Sequence, residues 1–161
     1  MSTTKYLPIY LNDHLAGSAL GVSLAKRIAG SNEGNAYGAA IAAIAAEIEE
    51  DRRTLESVMQ RFGAKRDRLK MLGLWAGEKA ARLKLNGELL RYSPLSRMEE
   101  LEMLSLGVEG KRSLWRALRH AIGDDPRFGA GELDALIARA ESQRARIEEL
   151  RLRASEEALA G

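Results

Sequence analysis

Four ionisable side chains interrupt the apolar faces of predicted helices, and they are the residues best placed to do chemistry. At alternating three- and four-residue spacing, each stripe contains one of them: His14, Asp51, Lys79 and Lys111. A stripe with this spacing faces the interior of a helical protein. Because a buried ion is costly unless an opposite charge pairs with it, the four positions predict an internal polar layer.

Four chemical interpretations of this layer remain open, and acid–base catalysis is the least favoured of them. The first is a set of charge-compensating salt bridges that fixes the register of the helices. The second is a site for a small anionic ligand on Lys79 and Lys111. The third is an iron or manganese site, which is disfavoured because the two lysines would lie beside the cation. Its candidate ligands are Glu47, Glu50, Glu78 and His14.

Five helices are predicted to carry these residues, from the 3.6-residue periodicity and from turn and capping signals. They cover residues 6–29, 35–62, 64–91, 94–122 and 132–159. Ala, Leu, Glu and Arg dominate the 161 residues, aromatic residues make up only 5%, and there is no Cys. The composition therefore favours an all-α protein of one domain, without disulfides or thiolate metal sites.

Helix length and short connections predict how the helices assemble. Helices of about 26 residues are about 39 Å long, and short connections make sequential helices antiparallel. We predict one helical domain over residues 1–161, with an up-down four-helix bundle at 6–122 and an additional C-terminal amphipathic helix at 132–159. Turns near residues 32, 63 and 94 bring the four ionisable residues to similar heights. The C-terminal helix is expected to pack across the bundle or to pair with a second chain, as a homodimer or with another protein.

Pairs of glycines recur at four-residue spacing within the predicted helices and turns. They are Gly17 and Gly21, Gly34 and Gly38, and Gly73 and Gly77. A helical Gly costs up to about 1 kcal/mol relative to Ala, so a compensating contact is expected. Close approach of helix backbones is one explanation, and space for a ligand inside the bundle is the other.

The sequence YLPIYLNDHL at residues 6–15 is similar to the first helix of small uncharacterised bacterial ferritin-like proteins. Carboxylates and a His that meet at mid-bundle extend this resemblance over residues 6–122. The resemblance implies metal storage or oxidase chemistry at a dinuclear carboxylate site. The ligands that it would carry over are Glu47, Glu50, Glu78 and one of Glu99, Glu102 or Glu109.

The sequence departs from that family at the motif that holds the metal. Ferritin-like di-iron sites use Glu-x-x-His on each of two helices, and this chain contains no such motif. We therefore predict a non-enzymatic interaction or structural protein of ferritin-like descent, with a charge-paired layer, no competent di-iron site and no cofactor. An iron- or manganese-dependent oxidase or storage protein is the alternative. A binder of a small anionic ligand is a further alternative.

Nucleic acid and membranes are not expected as partners. The formal net charge is only +2, and no aromatic platform accompanies the basic residues near the ends of the second and fourth predicted helices. The longest small and apolar run, residues 36–46, is far shorter than the roughly 20 residues that cross a bilayer. Residues 1–10 lack the pattern of a signal peptide, so the expected location is the cytoplasm.

Overall fold

The computed structural model describes residues 5–67 and 92–160 and contains four helices and no strand in these ranges. The helices are α1 (Tyr6–Ser31), α2 (Gly38–Arg61), α3 (Pro94–Ile122) and α4 (Glu132–Leu159). They correspond to the first, second, fourth and fifth predicted helices. The third predicted helix was expected to begin at residue 64, but residues 64–67 are not helical. The remainder of that prediction, including Gly73, Gly77, Glu78 and Lys79, lies outside the described residues.

The start of α3 illustrates how local sequence sets a helix boundary. Ser93 is the N-cap, and its Oγ accepts a hydrogen bond from the backbone N–H of Ser96 at 3.1 Å. Pro94 follows at the first helical position, where its missing N–H leaves no donor unsatisfied. The helix therefore begins at Pro94, as the sequence predicts. No helix within the described ranges combines the length and the apolar character needed to cross a membrane.

The four helices pack so that each runs antiparallel to its neighbours. α1 packs against α2 and α3, and α3 packs most extensively against α4. Ion pairs record the directions: Arg27 of α1 meets Glu100 near the start of α3 at 2.8 Å, and Arg61 at the end of α2 meets Glu132 at the start of α4 at 2.8 Å. α2 and α3 are therefore parallel and lie on opposite corners of the arrangement.

The residues on either side of the undescribed segment lie at opposite ends of the molecule. At one end, the Asn12 side chain of α1 donates to Lys65 O at 2.9 Å and accepts from Asp67 N at 2.8 Å. At the other end, Asn32 Nδ2 donates to the Tyr92 hydroxyl at 2.8 Å. The α1–α2 hairpin thus ends, at Asp67, at the opposite end of the molecule from Tyr92, which precedes the α3–α4 hairpin.

The C-terminal helix was expected as an addition to a bundle formed by residues 6–122. In the structure its buried face packs against α3, and its polar side chains reach α2. The apolar residues of this buried face include Leu133, Leu136, Ala140 and Ile147. α4 therefore occupies the position beside α2 and α3 that the sequence analysis assigned to the third predicted helix.

The core consists of two apolar clusters, and each contains residues of all four helices. One contains Ile48 of α2 and Val108 of α3, and the other contains Leu55 of α2 and Leu114 of α3. Asp51 and Lys111 fall between these pairs along their helices. A polar layer thus separates the two clusters, at the height where the interrupted stripes predicted it.

The glycine pairs have different surroundings. A Cβ on Gly17 or Gly21 would meet no atom of the described residues within 4 Å. A Cβ on Gly38 would lie 2.3 Å from the carbonyl oxygen of Asn32. The prediction of close backbone approach is therefore confirmed at Gly38, where the end of α1 meets the start of α2, and has no support from residues 5–67 and 92–160 at Gly17 and Gly21.

Candidate functional site

The polar layer is a cluster of charged and amide side chains between α2, α3 and α4, here called the central charge cluster. Its members come from turns of the helices that face one another across the core. They are Glu47, Glu50 and Asp51 of α2, Lys111 of α3, and Arg139, Gln143 and Arg146 of α4. The three carboxylates and three cations balance, so the cluster carries no net formal charge.

Asp51 is the centre of the cluster and is only 3% exposed. One carboxylate oxygen, Oδ2, accepts hydrogen bonds from Lys111 Nζ and, at 2.9 Å, from Gln143 Nε2. The other oxygen, Oδ1, lies 3.0 Å from Arg139 Nε. Two cations and an amide thus replace the water that the carboxylate loses on folding, as a buried charge requires.

Gln143 links the buried pair to the rest of the cluster and has no exposed surface. Its Oε1 accepts from Lys111 Nζ, while its Nε2 donates to Asp51 and, at 3.2 Å, to Glu47 Oε2. The direction of each bond fixes the orientation of the amide. A neutral side chain therefore connects three ionised ones without altering the charge balance.

Two arginines of α4 hold the outer carboxylates. Arg146 bonds both oxygens of Glu47, with Nη1 to Oε1 at 2.9 Å. Arg139 donates to Glu50 Oε1 at 3.0 Å and to the backbone oxygen of Glu47 at 3.0 Å. The hydrogen bond from Arg146 lowers the pKa of the Glu47 carboxyl, although burial acts in the opposite direction. The paired guanidinium fork therefore keeps Glu47 ionised.

Of the three cations in the central charge cluster, the ammonium group of Lys111 is the least accessible to water. Burial lowers the pKa of its ammonium group, and the adjacent Asp51 carboxylate opposes this effect. Its amine has two acceptors on two other helices. Lys111 therefore ties α3 to α2 and α4 at a single height along the core.

The sequence was compared with protein-family models and curated protein sequences, and the structure with solved structures. No match was found in any of the three. The resemblance of residues 6–15 to ferritin-like proteins therefore stays a prediction.

His14 does not join the cluster through any hydrogen bond or ion pair between described residues. Its ring packs edge-on against Tyr10, with 4.7 Å between the ring centroids. The neighbouring Leu15 belongs to the apolar cluster that contains Leu55, beyond the polar layer. The structure thus brings Asp51 and Lys111 together and leaves His14 on α1, while the predicted position of Lys79 is outside the described residues.

The carboxylates predicted as metal ligands are engaged by cations. Glu47 pairs with Arg146 and Glu50 with Arg139. Within residues 5–67 and 92–160, no group of three or more His, Asp or Glu side chains has an arrangement that could hold a metal ion. Glu78, the remaining predicted ligand, belongs to the undescribed segment, so the iron or manganese alternative stays a prediction.

The site also contains side chains of α4 that were not predicted from the sequence. Gln143 lies between Ala140 and Ile147 on the buried face of α4, so it interrupts an apolar stripe as Asp51 and Lys111 do. The same spacing rule would have found it. Arg139 gave no such signal, because an arginine on a charged amphipathic helix is usually solvated.

We expect the stability of the protein to fall on mild acidification because of His14. Burial lowers the pKa of its imidazole below the usual 6.5, with Asp13 opposing this effect. The unfolded chain therefore binds a proton more readily, and stability is lost as the pH falls below 6.5 through the lowered pKa. Urea denaturation at several pH values between 7 and 5 should show a shallower decline for His14→Gln than for the native sequence. Equal slopes would show that His14 does not titrate differently on folding.

Proposed function

We propose that this chain is a cytoplasmic, non-enzymatic structural or interaction protein of ferritin-like descent, without a competent di-iron site. The observation that carries the proposal is that each charged group of the central charge cluster already pairs with an opposite charge of the same chain. A catalytic site keeps at least one group open to its substrate, and a metal site needs ligand atoms that are free to bind the metal. A self-compensated cluster instead fixes the register of the helices that carry it.

The hydrogen bonds of Glu47 are the strongest argument against a competent metal site. Both of its carboxylate oxygens accept from Arg146, and one also accepts from Gln143. A metal ion at this position would have to displace a bidentate guanidinium and would leave that arginine unpaired. Lys111 of α3 would add positive charge close to the incoming cation.

The arrangement of the chain supports the ferritin-like descent. Ferritin-like proteins contain one long crossover between two antiparallel helix hairpins. Here, too, α1–α2 and α3–α4 are hairpins, and Asp67 and Tyr92 lie at opposite ends of the molecule. This descent would account for the carboxylates of α2 that face the protein core. Replacement of the Glu-x-x-His motif would account for the lysine and arginine side chains that lie opposite them.

Metal analysis of the purified full chain tests the proposal. We expect iron and manganese well below one equivalent per chain after incubation with Fe²⁺ or Mn²⁺ and desalting. Neither ion should raise the melting temperature, because only a ligand that binds the folded state shifts unfolding. Glu47→Gln should behave in the same way as the native chain in both measurements.

Stoichiometric metal that is lost in Glu47→Gln would overturn the proposal and favour the oxidase or storage alternative. A comparable metal content that survives Glu47→Gln and disappears in Glu78→Gln would overturn it as well, with the site placed elsewhere on the chain. Inorganic phosphate serves as the probe for the anionic-ligand alternative. A rise in melting temperature with phosphate that is absent in Lys111→Met would support that alternative instead.

A further inference from the structure

The outer face of α3 exposes apolar and small residues near the middle of the helix. Met103 is 59% exposed and Leu106 is 72% exposed, although both belong to a helix whose opposite face is fully buried. Gly107 and Ser113 continue the exposed face, and a Cβ on Gly107 or Gly110 would meet no atom within 4 Å. A second helix could therefore approach this face closely.

Charge is distributed unevenly along the same face. Glu99 and Glu102 are exposed toward the start of α3, and Arg116 and His120 are exposed toward its end. Among described residues, Glu99, Arg116 and His120 have no ion pair, and the exposed Glu102 has one partner, the half-buried Arg151, at 3.4 Å. The face is thus acidic in one half and basic in the other, with its apolar residues between them.

Such a face is complementary to a second copy of itself in the opposite direction. In an antiparallel pair centred between Glu109 and Gly110, Glu99 would face His120 of the other copy, and Leu106 would face Ser113. Glu102 and Arg116 would face each other to within one residue. A two-fold axis generates each of these contacts twice, because the same patch serves both subunits.

We propose that this chain forms a homodimer in which the outer faces of α3, residues 99–120, pair antiparallel about a two-fold axis. The face spans 22 residues, or about 33 Å of helix at 1.5 Å per residue. Small residues near the axis allow close contact of the backbones, and opposite charges at both ends set the direction and register. The dimer goes beyond the proposed function and does not depend on it.

The outer face of α4 is less suited to self-association. The exposed charged residues of α4 are five acidic ones and one basic one, Arg153, which faces Glu157 of its own helix at 3.9 Å. The acidic ones are Asp134, Glu141, Glu149, Glu156 and Glu157. Arginines of α3 pair with Asp134, Glu141 and Glu157, so this face has no exposed basic half that could meet the acidic residues of a second copy. The predicted dimer through the C-terminal helix stays a prediction.

Sedimentation equilibrium of the full chain tests the dimer. We expect a reversible monomer–dimer equilibrium in which Leu106→Glu raises the dissociation constant by about tenfold or more, since it places two like charges close to the axis. Glu149→Lys, on the outer face of α4, is the matched control and should leave the constant unchanged. Circular dichroism should show the same helix content for both variants, because both positions are exposed.

Charge reversal gives the sharper experiment. A variant with Glu99→Lys and Glu102→Lys should be monomeric, and so should a variant with Arg116→Glu and His120→Glu, because each homodimer would place like charges opposite each other. An equimolar mixture of the two should recover the dimer mass, since both ends then carry opposite charges. A native chain that stays monomeric up to about millimolar concentration, well above typical specific affinities, would overturn the proposal. A dimer that both double variants retain would overturn it too.

Discussion

Replacing Asp51 by Leu is expected to lower the free energy of unfolding by about 3–5 kcal/mol, the range for breaking a buried ion pair from one side. Leu is larger than Asp, so the loss does not come from a cavity. It comes from Lys111 and Arg139, whose positive charges would remain near the core without their carboxylate. Gln143 would also lose one of its two acceptors. Most of the lost free energy of unfolding therefore comes from leaving these partners buried and unpaired, and only part of it from the missing hydrogen bonds.

Urea denaturation of Asp51→Leu, of Glu50→Leu and of a double variant tests whether the loss of stability comes from the unpaired cations. Glu50→Leu removes a carboxylate from the adjacent position, but the Glu50 side chain is 61% exposed, so its pair with Arg139 should contribute far less to the free energy of unfolding than the buried pair of Asp51. Asp51→Leu with Lys111→Leu removes both charges of the buried pair and should recover part of the lost stability. If Asp51→Leu cost no more than Glu50→Leu, the carboxylate would have to be accessible to water.

Gly38→Ala is expected to destabilise the protein, although Ala is the better helix former by about 1 kcal/mol. The new Cβ would lie 2.3 Å from Asn32 O and 3.0 Å from Asn32 C, and neither atom belongs to a side chain that can rotate away. Asn32 is buried, and its amide bonds Ile28 O, Tyr92 and Arg97. Because the turn is held in place from several sides, we expect a net loss of about 1–3 kcal/mol, the usual range for overpacking.

The same substitution on α1 is the control for Gly38→Ala. Gly21 is helical, and a Cβ there would meet no atom within 4 Å. Gly21→Ala should therefore stabilise the protein by up to about 1 kcal/mol. Thermal melts of the two variants should shift in opposite directions. A Gly38→Ala protein that melts as high as Gly21→Ala would contradict the close approach of α2 to the end of α1.

Much of the helical structure follows from local sequence. The apolar spacing of α2 and α4, the Ser93–Pro94 start of α3 and the turn glycines predict the four described helices with only small errors at their ends. Capping and periodicity act between residues a few positions apart, so they can be read without knowledge of the fold. The same periodicity placed Asp51 and Lys111 inside the protein, where a charge demands a partner.

Which partner each charge found was decided by the tertiary structure. Asp51 shares its carboxylate among Lys111 of α3 and Arg139 and Gln143 of α4, whereas His14, predicted at the same height, packs against Tyr10. The prediction failed where it assumed that helices follow one another around the core in chain order. The position of α4 beside α2 depends on contacts between residues about 70 to 120 positions apart, such as Arg61 with Glu132 and Tyr37 with Glu157. Periodicity along one helix indicates which face is buried, but only packing against distant segments determines what that face meets.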